Sequence, residues 1–197
     1  MPNPPLILAS SSAYRRELLG RLQCPFQCDI PDIDETPLDR EAPADTAQRL
    51  ARAKAGAVAS RYSEGLVIGS DQVADCHGIA LSKPGDHASA TAMLMRLSGQ
   101  EVVFHTAVTL QNAASGRIQS ELVGVTSTFR RLAPQEIEAY LNREQPYDCA
   151  GAVKSESLGI VLFERIESDD PTALIGLPLI ALARMLRAEG FDVFGSR

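Results

Sequence analysis

Short apolar runs alternate with helix-patterned segments along this chain, and that alternation restricts the fold more than any other feature of the sequence. The apolar run at residues 6–9 precedes a helical pattern at 14–19, and the run at 66–68 follows a longer helical pattern at 44–62. Such runs have the length of buried strands, which need cover on both faces. The alternation therefore predicts an α/β fold.

The middle and the end of the chain indicate further strands and helices. Two long segments, 102–111 and 118–129, predict antiparallel strands joined by a turn. We also predict a strand at 159–166 and a helix over 172–187. Because hairpins occur together with helix-linked strands, we expect a mixed, elongated central sheet flanked by helices.

Composition limits the class of protein and its partners. Of 197 residues, 45% are hydrophobic and 22% are charged, which is typical of a folded chain, and we expect a single domain over residues 1–197. The formal net charge is −6, so a nucleic-acid partner is not expected, because backbone binding needs a basic surface. The chain could still bind a small anion if a local cluster of basic residues or a metal ion offsets its overall negative charge.

The sequence gives no sign of a membrane segment or of a zinc site. No apolar run approaches the roughly 20 residues that span a bilayer, and the chain starts without a signal-peptide pattern. We therefore expect a cytoplasmic protein. The four cysteines and three histidines lack the repeated spacing of zinc ligands, so reduced thiols are expected.

The turn at residues 10–16 combines three serines with two arginines. Backbone N–H groups at a helix start are unpaired and the helix dipole is positive there, which suits phosphate oxygens. Arginine in the first turn adds fork-shaped donors for phosphate. Two interpretations stay open: a phosphate site that uses Ser10 and Arg15, or a serine cap beside solvated arginines.

Two groups of carboxylates are candidates for chemistry. Asp71 follows an apolar run and two small residues, so we predict it at the carboxyl end of a strand, where ligands collect in α/β sheets. The alternative is an aspartate that turns the chain. Asp34 and Glu35 lie in an acidic loop. Clustered carboxylates suit Mg²⁺ or Mn²⁺, although an acidic loop taken alone is more commonly just solvated.

A lysine interrupts the apolar stripe of the long predicted helix. Lys54 lies four residues after Leu50 and four before Val58, so it is predicted to face the core. A lysine in that position either extends its ammonium group outward to water or reaches a charged ligand. Lys83, just before a proline, is a second candidate that is weaker on its own.

At these positions the chain resembles the Maf family of nucleotide pyrophosphatases, from about residue 6 to about residue 190. Each shared piece is short, but the common order and spacing of the pieces are specific. Ala13 departs from the family, which usually has proline there. The pieces are LASSSAYRRELL (8–19), DE (34–35), AKA (53–55), GSDQ (69–72), KP (83–84), CAG (149–151), KSE (154–156) and GLPL (176–179).

The resemblance implies a fold, an activity and a cofactor. The Maf fold, similar to that of ITPases, has two lobes around a cleft, and a homodimer is expected. The activity is hydrolysis of a nucleoside triphosphate between its α and β phosphates, which gives a monophosphate and pyrophosphate, with Mg²⁺ or Mn²⁺ as cofactor. The stretch DCAGAVKSE (148–156) is most similar to the YceF-like branch, which is associated with 7-methyl-GTP.

The resemblance also implies which residues bind the nucleotide. The branch that acts on dTTP and UTP typically has arginine, threonine and glutamine where this chain has Tyr14, Gln72 and Glu156, so these three are expected to set base choice. A carboxylate at Glu156 accepts from two adjacent donors of guanine, and Tyr14 stacks on the cationic 7-methylated ring. Ser10 and Arg15 are expected to hold the phosphates.

For the reaction itself we predict a metal-assisted hydrolysis. Asp71 is the predicted general base and, together with Glu35, the predicted metal ligand. Arg15, Lys54 and Lys83 are predicted to stabilise charge on the phosphates as the bond breaks. Two alternatives remain at this stage: the same chemistry on UTP, dTTP or another modified nucleotide, and a nucleotide-binding regulator of cell division.

Overall fold

The computed structural model of the chain describes residues 3–195, which form one seven-stranded mixed sheet with helices on both faces. The α/β expectation is confirmed. No helix in this described part is long and apolar enough to cross a membrane. The strands are β1 (Leu6–Ala9), β2 (Gln27–Asp29), β3 (Leu66–Cys76), β4 (Ile79–Leu81), β5 (Glu101–Asn112), β6 (Ile118–Phe129) and β7 (Phe163–Glu167).

Five α-helices and three short 3₁₀ segments accompany the strands in residues 3–195. The α-helices are α1 (Ala13–Gly20), α2 (Pro43–Ala59), α3 (His87–Leu97), α4 (Pro134–Glu144) and α5 (Leu179–Ala188). The 3₁₀ segments are Ala150–Ala152, Leu158–Leu162 and Ala173–Ile175.

Parallel and antiparallel pairs coexist in the sheet, as predicted. The strand order is β2-β1-β3-β5-β6-β7, and β4 pairs with β3 beside this path. β1 runs parallel to β2 and β3, whereas β3, β5, β6 and β7 pair antiparallel in succession. The parallel part is reached through α1 and α2, because a parallel connection needs a crossover, and the antiparallel part needs only turns.

The two faces of β3 contribute to different clusters because side chains alternate along a strand. Leu66 and Ile68 belong to the largest apolar cluster, which also takes in residues of α3, α4 and α5. Val67 lies in a smaller cluster with Ile7 and Val58, under α2. Burial on both faces makes the start of β3 a rigid support for the residues that follow.

Helix α2 approaches β3 unusually closely at Gly69. A Cβ atom added to Gly69 would lie 2.2 Å from the Ala51 carbonyl oxygen and 2.6 Å from the Ala55 amide nitrogen. Only a residue without a side chain permits this contact between two backbones. The small residues of α2 bring its axis close to the sheet, so that Lys54 on the same helix face reaches the strand.

The expected end of β3 at Asp71 is wrong, because the strand continues to Cys76. β5 pairs with β3 along almost its whole length, from Leu66 opposite Asn112 to Asp75 opposite Val103. The small residues before Asp71 therefore do not end the strand; they admit α2 instead. The expected hairpin that follows is confirmed, with β4 antiparallel to β3 and a turn at His77 and Gly78.

The strand predicted at 159–166 is wrong in its first half. Residues Leu158–Leu162 form a 3₁₀ segment, and only Phe163–Glu167 pair with β6. Gly159 packs against the backbone of Lys154, where a Cβ atom would lie 2.3 Å from the carbonyl oxygen. This close contact folds the apolar residues into a compact turn that buries Leu162.

The helix predicted over 172–187 is interrupted. A 3₁₀ segment, Ala173–Ile175, ends at Gly176, whose φ of 119° is accessible to glycine, and α5 begins only after Pro178. The buried carboxylate of Asp170 accepts from the backbone N–H of Ile180 at 2.7 Å. That bond satisfies a backbone N–H group in the first turn of α5. The chain can therefore leave helical geometry at Gly176 while this N–H group keeps a hydrogen-bond partner.

The close contact at Gly69 can be tested by adding one carbon atom. We expect Gly69→Ala to lower the free energy of unfolding by about 3 kcal/mol, because the added methyl group clashes with the backbone of α2. Gly56→Ala is the matched control, since its Cβ atom would meet only Gln111 Oε1 at 3.6 Å. The control should be neutral or stabilising by up to about 1 kcal/mol. Urea denaturation measures both, and equal effects would contradict the packing described.

Candidate active site

The sheet has an open edge in the middle of β3. β1 pairs with β3 only as far as Gly69, and β4 pairs with it only from Ala74 onward. On this side, residues 70–73 have no partner strand within the described residues; we call this stretch the edge gap. Because alternate side chains point to opposite faces, a ligand lying along the edge gap can touch groups on both faces of the sheet.

On the α2 face of the edge gap, two carboxylates share one buried ammonium group. Lys54 Nζ lies 2.7 Å from Asp71 Oδ1 and 3.0 Å from Glu35 Oε1. Lys54 is 5% exposed and Asp71 is 7% exposed, whereas the Glu35 side chain is largely open to solvent. The lysine on the apolar stripe thus turns inward, and a buried lysine of this kind needs its partners.

Glu35 is held near this pair by the anchoring of its loop. Arg49 donates from Nη2 to the Thr36 carbonyl oxygen at 3.2 Å and forms a two-point ion pair with Glu41 at 2.6 and 2.7 Å. The Arg49 hydrogen bonds lower the pKa of Glu41 to about 2. Because Arg49 sits in α2, the helix that carries Lys54 also fixes the loop that brings Glu35 to it.

The turn after β1 forms the wall of the edge gap. Ser12 caps α1, and its hydroxyl accepts from the Arg15 N–H at 3.4 Å, which confirms a serine cap. Arg15 Nε donates to the Gly176 carbonyl oxygen at 2.8 Å. Desolvation lowers the pKa of the Arg15 guanidinium, and the nearby charges of Asp71 and Glu35 oppose that shift. Arg15 therefore lies within electrostatic reach of both carboxylates.

Ser10 lies beneath this turn and not on its surface. Its side chain is buried, and its hydroxyl accepts a hydrogen bond from the Ser12 N–H at 3.1 Å. It is not among the residues that line the neighbouring cavity. The bond fixes the loop from which the free N–H groups at the start of α1 project.

On the opposite face of the edge gap lies a cavity of about 130 Å³. Five of the predicted site residues line it, although they are spread over most of the chain: Tyr14, Arg15, Gln72, Lys83 and Glu156. The other lining residues are Ser12, Phe104, Asp148, Cys149, Ala150, Val153, Ser155, Leu174, Ile175 and Gly176. The cavity thus joins the end of β1, the middle of β3 and the segment between α4 and β7.

Gln72 is held rigidly at the floor of this cavity. Its Nε2 group lies 2.9 Å from Thr106 Oγ1, 2.9 Å from the Ala173 carbonyl oxygen and 3.0 Å from that of Leu174. Thr106 itself donates to Ala173. The amide is thereby oriented, and its Oε1 atom has no hydrogen-bond partner among residues 3–195. That oxygen is a fixed acceptor for a ligand.

Tyr14 contacts the irregular segment on the far wall. The Cys149 thiol lies 3.8 Å from Tyr14 Oη. Burial, this thiol contact and the charges of Asp148 and Glu156 raise the pKa of Tyr14, so the phenol stays neutral. Burial also raises the pKa of Cys149 to about 11. A neutral phenol and a neutral thiol leave the two carboxylates as the negative groups of this wall.

Several cavity residues were missed as functional candidates from the sequence. Phe104 looked like an ordinary strand residue, and its ring faces Gly151 at the cavity wall. Asp148, Cys149 and Ser155 belonged to the shared motif, yet nothing in their spacing assigned them a role. The Gly176 carbonyl, which accepts from Arg15 and Ser70, could not be found without the interrupted helix.

The Glu35 and Asp71 carboxylates fit a hard divalent cation. Each uses one oxygen toward Lys54, and no side chain in residues 3–195 bonds to Asp71 Oδ2 or Glu35 Oε2. Mg²⁺ is commonly held by one or two carboxylates together with substrate phosphates and water. No group of three or more potential protein ligands occurs among the described residues, so such an ion would depend on the nucleotide for further ligands.

Known proteins are similar in sequence to this chain over nearly its full length. Residues 5–189 match the family described as Maf-like protein. A protein of Polaromonas sp. named 7-methyl-GTP pyrophosphatase is 56% identical over 193 residues, which covers 98% of this chain and 88% of the relative. The same name belongs to a Ralstonia nicotianae protein that is 56% identical, with 97% and 98% covered. The chain therefore belongs to the family of Maf-like proteins.

Proposed function

We propose that this chain is a nucleotide pyrophosphatase that hydrolyses 7-methyl-GTP between its α and β phosphates and releases 7-methyl-GMP and pyrophosphate. The observation that carries the proposal is the edge gap, which has the Lys54–Asp71 pair on one face and a cavity of about 130 Å³ on the other. The names of the relatives support the same activity.

In this proposal the base lies in the cavity beside Tyr14, Gln72 and Glu156. The Glu156 carboxylate accepts from the two adjacent donors of guanine, and the fixed Gln72 Oε1 is a further acceptor. Tyr14, kept neutral, offers an aromatic face to the positively charged ring. A pyrimidine would fill less of the cavity and would lack the charge.

The phosphates then run past the start of α1 toward Asp71. Arg15 and Lys83 line the cavity and Lys54 contacts Asp71, and the N–H groups that follow Ser12 add donors. Ser10 supports these donors from below. Phosphoryl transfer depends mainly on position and on charge stabilisation, which this row of cations provides.

Asp71 is the proposed general base for the attacking water. Its backbone lies mid-strand and its Oδ1 atom is held by Lys54 at 2.7 Å, so the orientation of the carboxylate is restricted. Lys54 orients this carboxylate and reduces the accumulation of negative charge when phosphates approach. Glu35 lies on a loop that Arg49 anchors, and it is the proposed partner of Asp71 in holding Mg²⁺ or Mn²⁺. Such an ion would neutralise charge on the phosphate oxygens.

We also propose that the chain acts as one domain, as a homodimer and in the cytoplasm. The support is the family resemblance and the single sheet that runs through residues 3–195. Light scattering behind a sizing column measures the assembly directly, and a mass of one chain would remove the dimer from the proposal.

Pyrophosphate release across a nucleotide panel tests the proposed substrate. With Mg²⁺ or Mn²⁺ present, kcat/KM should be highest for 7-methyl-GTP, lower for GTP, and at least about tenfold lower for UTP and dTTP, because Glu156 meets no matching pair of donors on these pyrimidines. A preference for UTP or dTTP would move the chain to the alternative substrate class. Tight nucleotide binding without pyrophosphate release would instead favour a regulator.

Replacement of the proposed base should stop the reaction, and the free energy of unfolding is measured alongside because the buried Lys54 loses a partner. We expect Asp71→Asn to lower kcat by about 100-fold or more, because the amide cannot take a proton from water. Asp75→Asn is the matched control: it lies on the same strand, and its carboxylate accepts from the Gly78 N–H at 2.6 Å and lies 3.4 Å from His105 Nε2. The control should stay within about threefold of the parent. Near-normal turnover of Asp71→Asn would sink the assignment of Asp71 as base.

Metal removal tests the proposed pair of carboxylate ligands. Dialysis against a chelator should abolish pyrophosphate release, and added Mg²⁺ or Mn²⁺ should restore it. Glu35→Gln should raise the metal concentration needed for half-maximal rate by about tenfold, since one of two charged ligands is lost. Full activity in chelator, checked against trace metal by elemental analysis, would contradict this part of the proposal.

A further inference from the structure

The cavity wall contains a second carboxylate, Asp148, which the proposed hydrogen bonds between Glu156 and guanine do not require. We infer that Asp148 is a second specificity-determining residue: together with Glu156 it makes the base end of the cavity negative, so that a positively charged purine is preferred over its neutral counterpart. This inference rests on the proposed function, and it concerns how that function distinguishes 7-methyl-GTP from GTP.

The cavity is lined by both positive and negative groups. The ionisable lining residues with a full charge at neutral pH are Arg15, Lys83, Asp148 and Glu156. Arg15 lies within electrostatic reach of Asp71, where the phosphates are proposed to lie, whereas Asp148 and Glu156 flank the 3₁₀ segment Ala150–Ala152. A ligand with negative phosphates and a positive base would match both kinds of group.

Asp148 is close to the groups that surround the base. Its Oδ1 atom lies 3.5 Å from the Cys149 sulfur, which in turn lies 3.8 Å from Tyr14 Oη. Asp148 and Glu156 both raise the pKa of Tyr14 through their charge. One thiol group therefore lies between Asp148 and the phenol oxygen of Tyr14, and the charge of Asp148 acts on that phenol.

Neither carboxylate is held in an ion pair. Within residues 3–195, no lysine, arginine or histidine nitrogen lies within the 4.0 Å of an ion pair with Asp148 or Glu156. The charge of Lys154 reaches Cys149, but its Nζ group donates to the Glu144 carbonyl oxygen at 2.9 Å and to neither carboxylate. Both carboxylates therefore lack a direct cationic partner and can act on a ligand.

The two carboxylates differ in what they can distinguish. Glu156 is proposed to accept hydrogen bonds from guanine, and those donors are present in GTP and 7-methyl-GTP alike, so its loss weakens both. Asp148 is not required for these bonds and acts through its charge. Methylation at N7 adds a positive charge and no donor, so Asp148 should affect the preference between the two nucleotides more than the recognition of guanine.

The experiment compares charge-removing and charge-keeping variants with two pairs of ligands. For Asp148→Asn, Asp148→Glu and the parent protein, kcat/KM is measured for 7-methyl-GTP and GTP, and binding of 7-methyl-GMP and GMP is measured by calorimetry. Glu101→Gln is the matched control, because it removes the same charge from an exposed position at the start of β5, outside the cavity.

We expect Asp148→Asn to reduce the preference ratio of 7-methyl-GTP over GTP by about fivefold, and the loss should shrink as salt is raised. Asp148→Glu should keep most of the preference, and Glu101→Gln should keep all of it. An unchanged ratio in a folded, active Asp148→Asn protein overturns the inference and leaves the proposed function intact. Failure of the parent protein to release pyrophosphate from 7-methyl-GTP overturns the proposed function itself.

Discussion

The buried ion pair between Lys54 and Asp71 is the interaction on which the rest of the site depends. A charged group is costly to bury unless a partner lies close, so the pair requires α2 and β3 to meet with almost no separation. Gly69 and the small residues of α2 permit that approach. The same helix anchors the acidic loop through Arg49. The tight packing of one helix on one strand thus determines the positions of three charged groups.

Sheet topology explains why this pair is accessible to a ligand although it is almost completely buried. β1 ends at Ala9 and β4 begins its pairing at Ala74, so the middle of β3 is covered on one side only by β5. If β3 were paired on both sides at this point, a ligand could reach Asp71 only from one face of the sheet. In the proposed function, the edge gap is where one extended ligand passes from the cavity near Gln72 to the carboxylate on the opposite face.

Much of the fold could be predicted from the sequence, because periodicity reports burial directly. The long helix, the hairpin strands and the inward-facing Lys54 all follow from spacing. The errors occurred where backbone contacts override that pattern: β3 continues through its small residues, and Gly159 and Gly176 break apolar stretches that otherwise resemble a strand and a helix. Only the family resemblance could predict that distant charged residues lie near one another. Spacing along the chain does not reveal which strands are neighbours in the sheet.

The division between regular and irregular structure also separates the two tasks of the site. Asp71 and Lys54 lie on a closely packed strand and helix, whereas Asp148 and Glu156 lie on an irregular segment that is held near its middle. Tyr140 Oη accepts from the Lys154 N–H at 3.0 Å and so ties this segment to α4. Because Tyr140 bonds to the backbone of the segment, its cavity-lining side chains can differ without disturbing that tie. If the proposed function holds, a cavity wall of this kind allows base preference to change while the Lys54–Asp71 pair stays the same.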